Sequence, residues 1–148
     1  MAKFLYSAAM SLDGFIAGPG GDVSWLVDFL GPNPVVDELI PQVGALLVGG
    51  RTYGGDDPHR GREGEGKAVD AAASAAGDKF VCILGASVAA HCLAMGVLDE
   101  VLVSIVPVLL GDGTRFFERS GGAGVRLEPV SRSHTTHLTN LWFRVIRP

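Results

Sequence analysis

Cysteine is scarce in this chain. Its two cysteines, Cys82 and Cys92, both stand in apolar stretches. Such a pair cannot supply the disulfide framework of a small secreted domain, and it reads as two buried thiols in a reducing compartment. Long apolar runs are lacking too. The longest, around Val101–Leu110, is interrupted by Pro107 and falls short of the ~18–20 residues that a membrane span needs. Met1–Leu5 begins like a signal peptide, but Ser11 and Asp13 cut the apolar region short. Basic residues are outnumbered, 12 against 16 acidic ones, for a formal net charge of -4. No basic stripe stands ready to neutralise phosphates along a duplex, which argues against a general nucleic-acid binder. The expectation is a soluble, cytoplasmic protein.

What the chain does have is apolar content and glycine. A hydrophobic share of 47% in 148 residues can furnish the core of one domain, and there are 21 glycines. Two glycine turns each follow an apolar run and open a helix. The first is Ala45-Leu46-Leu47-Val48-Gly49-Gly50-Arg51-Thr52-Tyr53; the second is Phe80-Val81-Cys82-Ile83-Leu84-Gly85-Ala86-Ser87-Val88. A strand–glycine–helix turn presents free backbone N–H groups and the positive end of a helix dipole, which suits a phosphate. Glycine matters there because a Cβ would obstruct the turn and the ligand's approach. Ordinary strand-to-helix turns use glycine as well, so both readings stay open at this point.

The pattern along the chain alternates strand and helix. Phe4–Ala9 reads as a strand, followed by a long loop through Asp13-Gly14 and Gly18–Asp22. Pro34–Val43 reads as a helix with Asn33 as its cap and Pro34 at the first helical position. Ala45–Val48 and Phe80–Leu84 lack polar alternation, as expected of strands covered on both faces. Gly54–Lys67 is glycine-rich, charged and nearly without apolar anchors, so it is expected as a poorly ordered loop. Ala68–Ala76 and Ser87–Met95 are predicted helices ended by Gly77 and Gly96. Glu100–Val106 is a buried strand, and Val125–Val130 with Leu138–Ile146 a closing antiparallel pair. The predicted architecture is a single α/β domain with a mixed sheet.

Ser11-Leu12-Asp13-Gly14-Phe15-Ile16-Ala17 after a first strand, then Asp22 and Trp25-Leu26, resembles the opening of the dihydrofolate-reductase-like family. The branch it resembles is the one shared with the C-terminal reductase domain of riboflavin-biosynthesis proteins. Gly50–Tyr53, Gly96–Val101 and Pro107–Phe117 fit the same family in the same order. The resemblance implies a mixed, mostly parallel sheet flanked by helices with a C-terminal antiparallel strand pair, NADPH (or NADH) as cofactor, and a homodimer. It implies hydride transfer to a pterin-like or pyrimidine-like heterocycle, as in 5-amino-6-(5-phosphoribosylamino)uracil reductases. Asp13 would be the catalytic and substrate-orienting residue, with Trp25 beside it on the substrate. Gly49, Gly50, Arg51, Thr52, Gly85, Ala86, Ser87 and Val88 would hold the cofactor. The alternative is a non-catalytic, dimeric, nucleotide-binding remnant of the same fold.

The chain also departs from that family. Some thirty to forty residues (a helix, a strand, a loop and a strand) usually separate the Gly-Arg-Thr-Tyr turn from the alanine-rich helix, enough for the crossover a parallel pair requires. Here only Gly54–Lys67 stands between them, with a seam near Lys67-Ala68. Either the protein has lost the piece or the sequence joins two segments across a gap. The second is favoured, because removing an interior strand leaves a sheet edge to be covered. The lost strand helps relatives bind the adenosine 2′-phosphate, so preference between NADP and NAD is not legible. Gly49-Gly50 replaces Gly-Arg, and Leu84-Gly85-Ala86 replaces a Gly-Gly pair. Among other polar residues, Asp13 is equally at home as an Asp-Gly turn residue, and Trp25 as a tryptophan closing a core. His134 and His137 fall on opposite faces of a strand, and His59 and His91 lack partners at ligand spacing, so no metal site is expected.

Overall fold

The computed structural model describes residues 1–49, 62–119 and 121–147, with the backbone alone at 62–65. Eight strands are described: β1 (Lys3–Ser11), β2 (Phe15–Ala17), β3 (Val43–Val48), β4 (Phe80–Leu84), β5 (Leu98–Val106), β6 (Thr114–Arg115), β7 (Leu127–His134) and β8 (Thr139–Val145). Three α-helices join them: α1 (Pro34–Leu39), α2 (Arg62–Ala76) and α3 (Ala86–Ala94). Six strands form one sheet in the order β3-β4-β1-β5-β8-β7, and β2 pairs with β6 in a small second sheet. β3, β4, β1 and β5 run parallel, while β5-β8-β7 are antiparallel. The expected mixed, mostly parallel sheet with a C-terminal antiparallel pair is what forms.

Period-two alternation assigns the core to two faces. Phe4 and Tyr6 of β1, Val81 and Ile83 of β4, and Leu98 and Val101 of β5 pack against Val69, Ala72 and Ala76 of α2 and Ala89 and Cys92 of α3. Leu5 and Leu102 turn the other way, onto Leu39 and Val35 of α1 and the Trp142 ring. Gly44 lets α2 settle directly on β3, since a Cβ there would stand 2.7 Å from the Ala76 carbonyl oxygen. Cys82 and Cys92 are buried thiols outside any disulfide, and burial pushes the Cys82 thiol up. Phe116 stacks on Tyr6 with ring centroids 4.6 Å apart, and both Phe116 and Phe117 pack against the α2–α3 core.

The structure corrects four local expectations. The helix after Asn33 ends at Leu39 rather than Val43, because Pro41 lacks the N–H to continue it and Ile40–Gln42 tightens into a 3-10 turn. Asn33 starts α1, but its side chain makes no capping bond and turns instead to Asn140. The alanine-rich helix begins at Arg62, not Ala68, so Arg62–Lys67 is helical and the Lys67-Ala68 junction lies inside it. The rest of the expected loop, Gly54–Gly61, lies outside the described residues. Nor, among the described residues, is β3 covered on both faces. It is the sheet's edge strand, and Leu46 is 60% exposed on the side away from α2.

Candidate active site

The parallel strands carry their carboxyl ends to one edge of the sheet, where the Ser11–Gly14 turn, Gly49, Gly85 and Pro107 follow β1, β3, β4 and β5. The chain leaving β1 reaches α1 on one face, whereas the chain leaving β4 enters α3 on the other. β1 and β4 are hydrogen-bonded neighbours. Their connections diverge to opposite faces, which makes the carboxyl ends of β1 and β4 a switch point, the place where open α/β sheets bind ligands.

On the β4 side this switch point presents a wall made of a glycine turn and a helix start. Gly85 has φ +120°, a conformation that L side chains rarely adopt, and it immediately precedes α3. The first intrahelical bond there runs from the Ala89 N–H to the Gly85 carbonyl oxygen at 3.1 Å. The N–H groups of Ala86, Ser87 and Val88 therefore belong to the first turn, which has no acceptors of its own, and no side chain caps it. Gly49 joins this wall from β3: its N–H donates to the Leu84 carbonyl oxygen at 3.2 Å, and a Cβ would press on Val88 Cγ2 at 3.2 Å. The structure thus brings Gly49, Gly85, Ala86, Ser87 and Val88 together. Gly50, Arg51 and Thr52 lie outside the described residues. Leucine and alanine around Gly85 do not obstruct the turn, because the positive φ falls on the glycine itself.

On the β1 side stands Asp13. Its Oδ1 accepts from the Ser11 hydroxyl at 2.6 Å and the Leu110 N–H at 3.1 Å, and its Oδ2 accepts from the Gly111 N–H at 2.7 Å. The Ser11 hydroxyl is the main cause that holds this carboxyl down at about 2, with the two backbone N–H groups adding to it. A half-buried acceptor, ionised at neutral pH, results. Asp13 also ties two distant segments together, reinforced by the Leu12 N–H on the Val108 carbonyl oxygen and the Phe116 N–H on that of Gly14. Trp25 sits in the 3-10 turn Ser24–Phe29, half-buried, its indole N–H donating to the Asp22 carbonyl oxygen at 3.2 Å.

A pH effect follows from the sign of the Asp13 shift. The folded carboxyl titrates below the ordinary aspartate value of about 3.9. Its contribution to stability is therefore present above that value and is lost as pH falls through the folded value. Asp13→Asn is expected to flatten the decline in stability between about pH 4 and pH 2, measured as urea midpoints across that range. A variant with the wild-type acid limb would remove Asp13 from the cause.

Sequence reasoning missed Ser11, Leu110 and Gly111 as partners of Asp13. The glycines of Gly111-Asp112-Gly113 were visible, but not the carboxylate 98 positions away that their loop would meet. An apolar cavity of about 380 Å³ lies elsewhere, between Leu93 of α3, Leu98 and Val101 at the start of β5, and Phe117. It adjoins the opposite end of β5 from Asp13.

Comparison with known proteins decides the family. The family of the RibD C-terminal domain matches residues 2–82 and 67–139, two overlapping segments that together take in most of the chain. The chain belongs to this family. The resemblance read from Ser11–Ala17 onward is thereby borne out. The fold of RibD C-terminal domains recurs in a putative riboflavin biosynthesis protein from Shewanella sp. PV-4, with TM-score 0.78 and 21% identity over 99% of this chain and 100% of that one. It recurs in a diaminohydroxyphosphoribosylaminopyrimidine deaminase/5-amino-6-(5-phosphoribosylamino)uracil reductase from Thermotoga maritima (TM-score 0.69, 17% identity, 98% of this chain). There the chain spans 57% of the longer protein. A riboflavin biosynthesis reductase from Saccharomyces cerevisiae gives TM-score 0.64 and 13% identity over 98% of this chain and 90% of that one. No curated protein matches the sequence.

Proposed function

We propose that this RibD C-terminal domain is a cytoplasmic, NADPH-dependent reductase that transfers hydride to a pyrimidine-like or pterin-like heterocycle. The observation that supports this most is the switch point at the carboxyl ends of β1 and β4. A glycine turn opening a helix follows β4, and a carboxylate held ionised by its hydrogen bonds follows β1. The nicotinamide, when bound, supplies a hydride from its C4 to a polarised C=N or C=O carbon. The residues present fit a dinucleotide, since a side chain at Gly85 would strain the turn and one at Gly49 would crowd Val88.

The chain's own work is binding and alignment. N–H groups at Ala86–Val88 would meet phosphate oxygens, and Thr52 with Arg51 would add a hydroxyl and a charge by resemblance to relatives. Asp13 stays ionised and accepts a hydrogen bond from a ring N–H, or exchanges a proton through water. Trp25 supplies a flat apolar surface for the heterocycle.

Calorimetry with NADPH and with NADH tests the reading, followed by loss of the nicotinamide absorbance on adding 5-amino-6-(5-phosphoribosylamino)uracil or dihydrofolate. Thr52→Val keeps the shape but removes a donor, so nucleotide affinity is expected to fall by about 0.5–3 kcal/mol. Unchanged affinity takes Thr52 out of the site. Binding without turnover of any heterocycle supports the non-catalytic remnant instead.

A homodimer is part of the same proposal. β7 is an edge strand with all eight residues exposed, and Leu127 and Val130 along it, with Val125 just before it, are each at least 40% exposed. A second copy would cover these apolar groups and the unpaired strand edge. Light scattering at micromolar concentration is expected to give twice the chain mass; a monomer that persists on concentration refutes the dimer.

A further inference from the structure

Ser11 is the last residue of β1 and is fully buried. Its hydroxyl is used twice. It donates to Asp13 Oδ1 at 2.6 Å and accepts from the Phe15 N–H at 2.9 Å, so both the direction of its proton and the position of its oxygen are fixed. The backbone N–H of Leu110 approaches the same carboxylate oxygen from the other segment, and that of Gly111 the second oxygen. Three donors from two parts of the chain hold both carboxylate oxygens, leaving Asp13 no freedom to turn about its own side-chain bonds. A carboxylate has about four acceptor positions, and these bonds occupy two on Oδ1 and one on Oδ2. Further acceptor capacity remains on Oδ2, on a half-buried side chain at the carboxyl end of β1.

We propose that Ser11 is a positioning residue for the reductase, fixing the Asp13 carboxylate so that Oδ2 meets the N–H donor of a heterocyclic substrate. The proposal rests on Asp13 being a substrate contact, as argued under the proposed function, and adds what aims it. Ser11 touches neither substrate nor cofactor; it acts through Asp13. The division of labour between the oxygens follows from the donors: Oδ1 is committed to Ser11 and Leu110, and Oδ2 is the one left with capacity to receive a ligand. The pairing also favours the ionised carboxyl, so the site presents an acceptor at neutral pH.

The test compares wild type, Ser11→Ala, Asp13→Asn and the double variant, with Ser11→Cys as a nearly isosteric, weaker donor. The Asp13 carboxyl is titrated by carbon-detected NMR in wild type and in the two Ser11 single variants. Turnover of 5-amino-6-(5-phosphoribosylamino)uracil with NADPH is followed in all, and NADPH affinity serves as a control on folding. Ser11→Ala is expected to move the Asp13 midpoint up towards the ordinary value of about 3.9, with Ser11→Cys in between. It is expected to lower kcat/KM about tenfold at unchanged NADPH affinity, with no further loss when added to Asp13→Asn. An Asp13 midpoint that does not move in Ser11→Ala overturns the proposal, whether or not this substrate is turned over. An additive loss in the double variant also overturns it, because Ser11 would then act independently of Asp13. Unchanged kcat/KM in Asp13→Asn overturns the reading of Asp13 as a substrate contact, while the midpoint still reports the Ser11–Asp13 coupling separately.

Discussion

Replacing Asn140 by alanine is expected to lower stability by about 3 kcal/mol, enough to shift the melting temperature by about 10 °C in a domain of this size. Asn140 is 2% exposed and stands at the centre of a buried polar cluster. Its amide nitrogen donates to Asn33 Oδ1 at 2.9 Å and to Ser133 Oγ at 3.2 Å. Its Oδ1 accepts from Asn33 Nδ2 at 3.0 Å and from Ser104 Oγ at 2.7 Å. The cluster thus joins β5, β7 and β8 to the residue that starts α1. Alanine removes four hydrogen bonds at once and leaves the Asn33 amide and the Ser104 hydroxyl buried without partners, each costing about 1–3 kcal/mol. The check is a double-mutant cycle read by urea unfolding. Asn33→Ala combined with Asn140→Ala is expected to cost well under the sum of the two, because the second change removes a group that the first has already orphaned. Additive losses would show that the Asn33–Asn140 pair is not what holds α1 on the sheet.

Much of this fold was legible in the sequence. An uninterrupted apolar run marked β4, and a nearly all-apolar one from Val101 to Val106 marked β5, since strands buried inside a sheet need no polar alternation. Glycines marked helix ends: Gly77 and Gly96 have positive φ just after α2 and α3, where a left-handed residue terminates a helix. Asn33 shows why local signals stop short. Asparagine followed by proline reads as a cap, yet its amide is drawn 107 positions away to Asn140, and a buried reciprocal pair outcompetes one exposed capping bond. β3 shows the same limit. Ala45–Val48 has the composition of a covered strand, but covering depends on which element packs against it, and no element in the described residues covers Leu46. The candidate site divides likewise. Gly85 and the start of α3 are contiguous in sequence and could be read as one turn. The Asp13 clamp could not, because its donors at Leu110 and Gly111 come from the far end of β5.

The second large effect is expected at Gly113. It has φ +136°, and a built Cβ would collide with the Ala17 carbonyl oxygen while standing 2.8 Å from Gly18 Cα. Alanine therefore meets two separate penalties. The torsion costs about 1–2 kcal/mol for any L residue, and the collision with backbone atoms cannot be relieved by turning a side chain, which adds roughly 1–3 kcal/mol. Relief requires β6 to part from β2, and Thr114 is paired to Ala17 directly beside the collision. Those strands share their loops with the Asp13 clamp, so the same substitution is expected to loosen the bonds of Leu110 and Gly111 to Asp13 and of Phe116 to Gly14. Gly111 provides the comparison: it also has a positive φ, +79°, but nothing lies within 4 Å of its Cβ position. Gly111→Ala is expected to incur the torsional cost alone, about 1–2 kcal/mol, against about 2–5 kcal/mol for Gly113→Ala. Urea midpoints separate the two, and amide hydrogen exchange locates the change. In Gly113→Ala the Leu110, Gly111 and Phe116 amides are expected to exchange faster while those of β4 keep their order of protection. Equal losses at both glycines would mean that torsion, not the close approach of β2, sets the cost, and that the clamp around Asp13 does not depend on the β2–β6 pair.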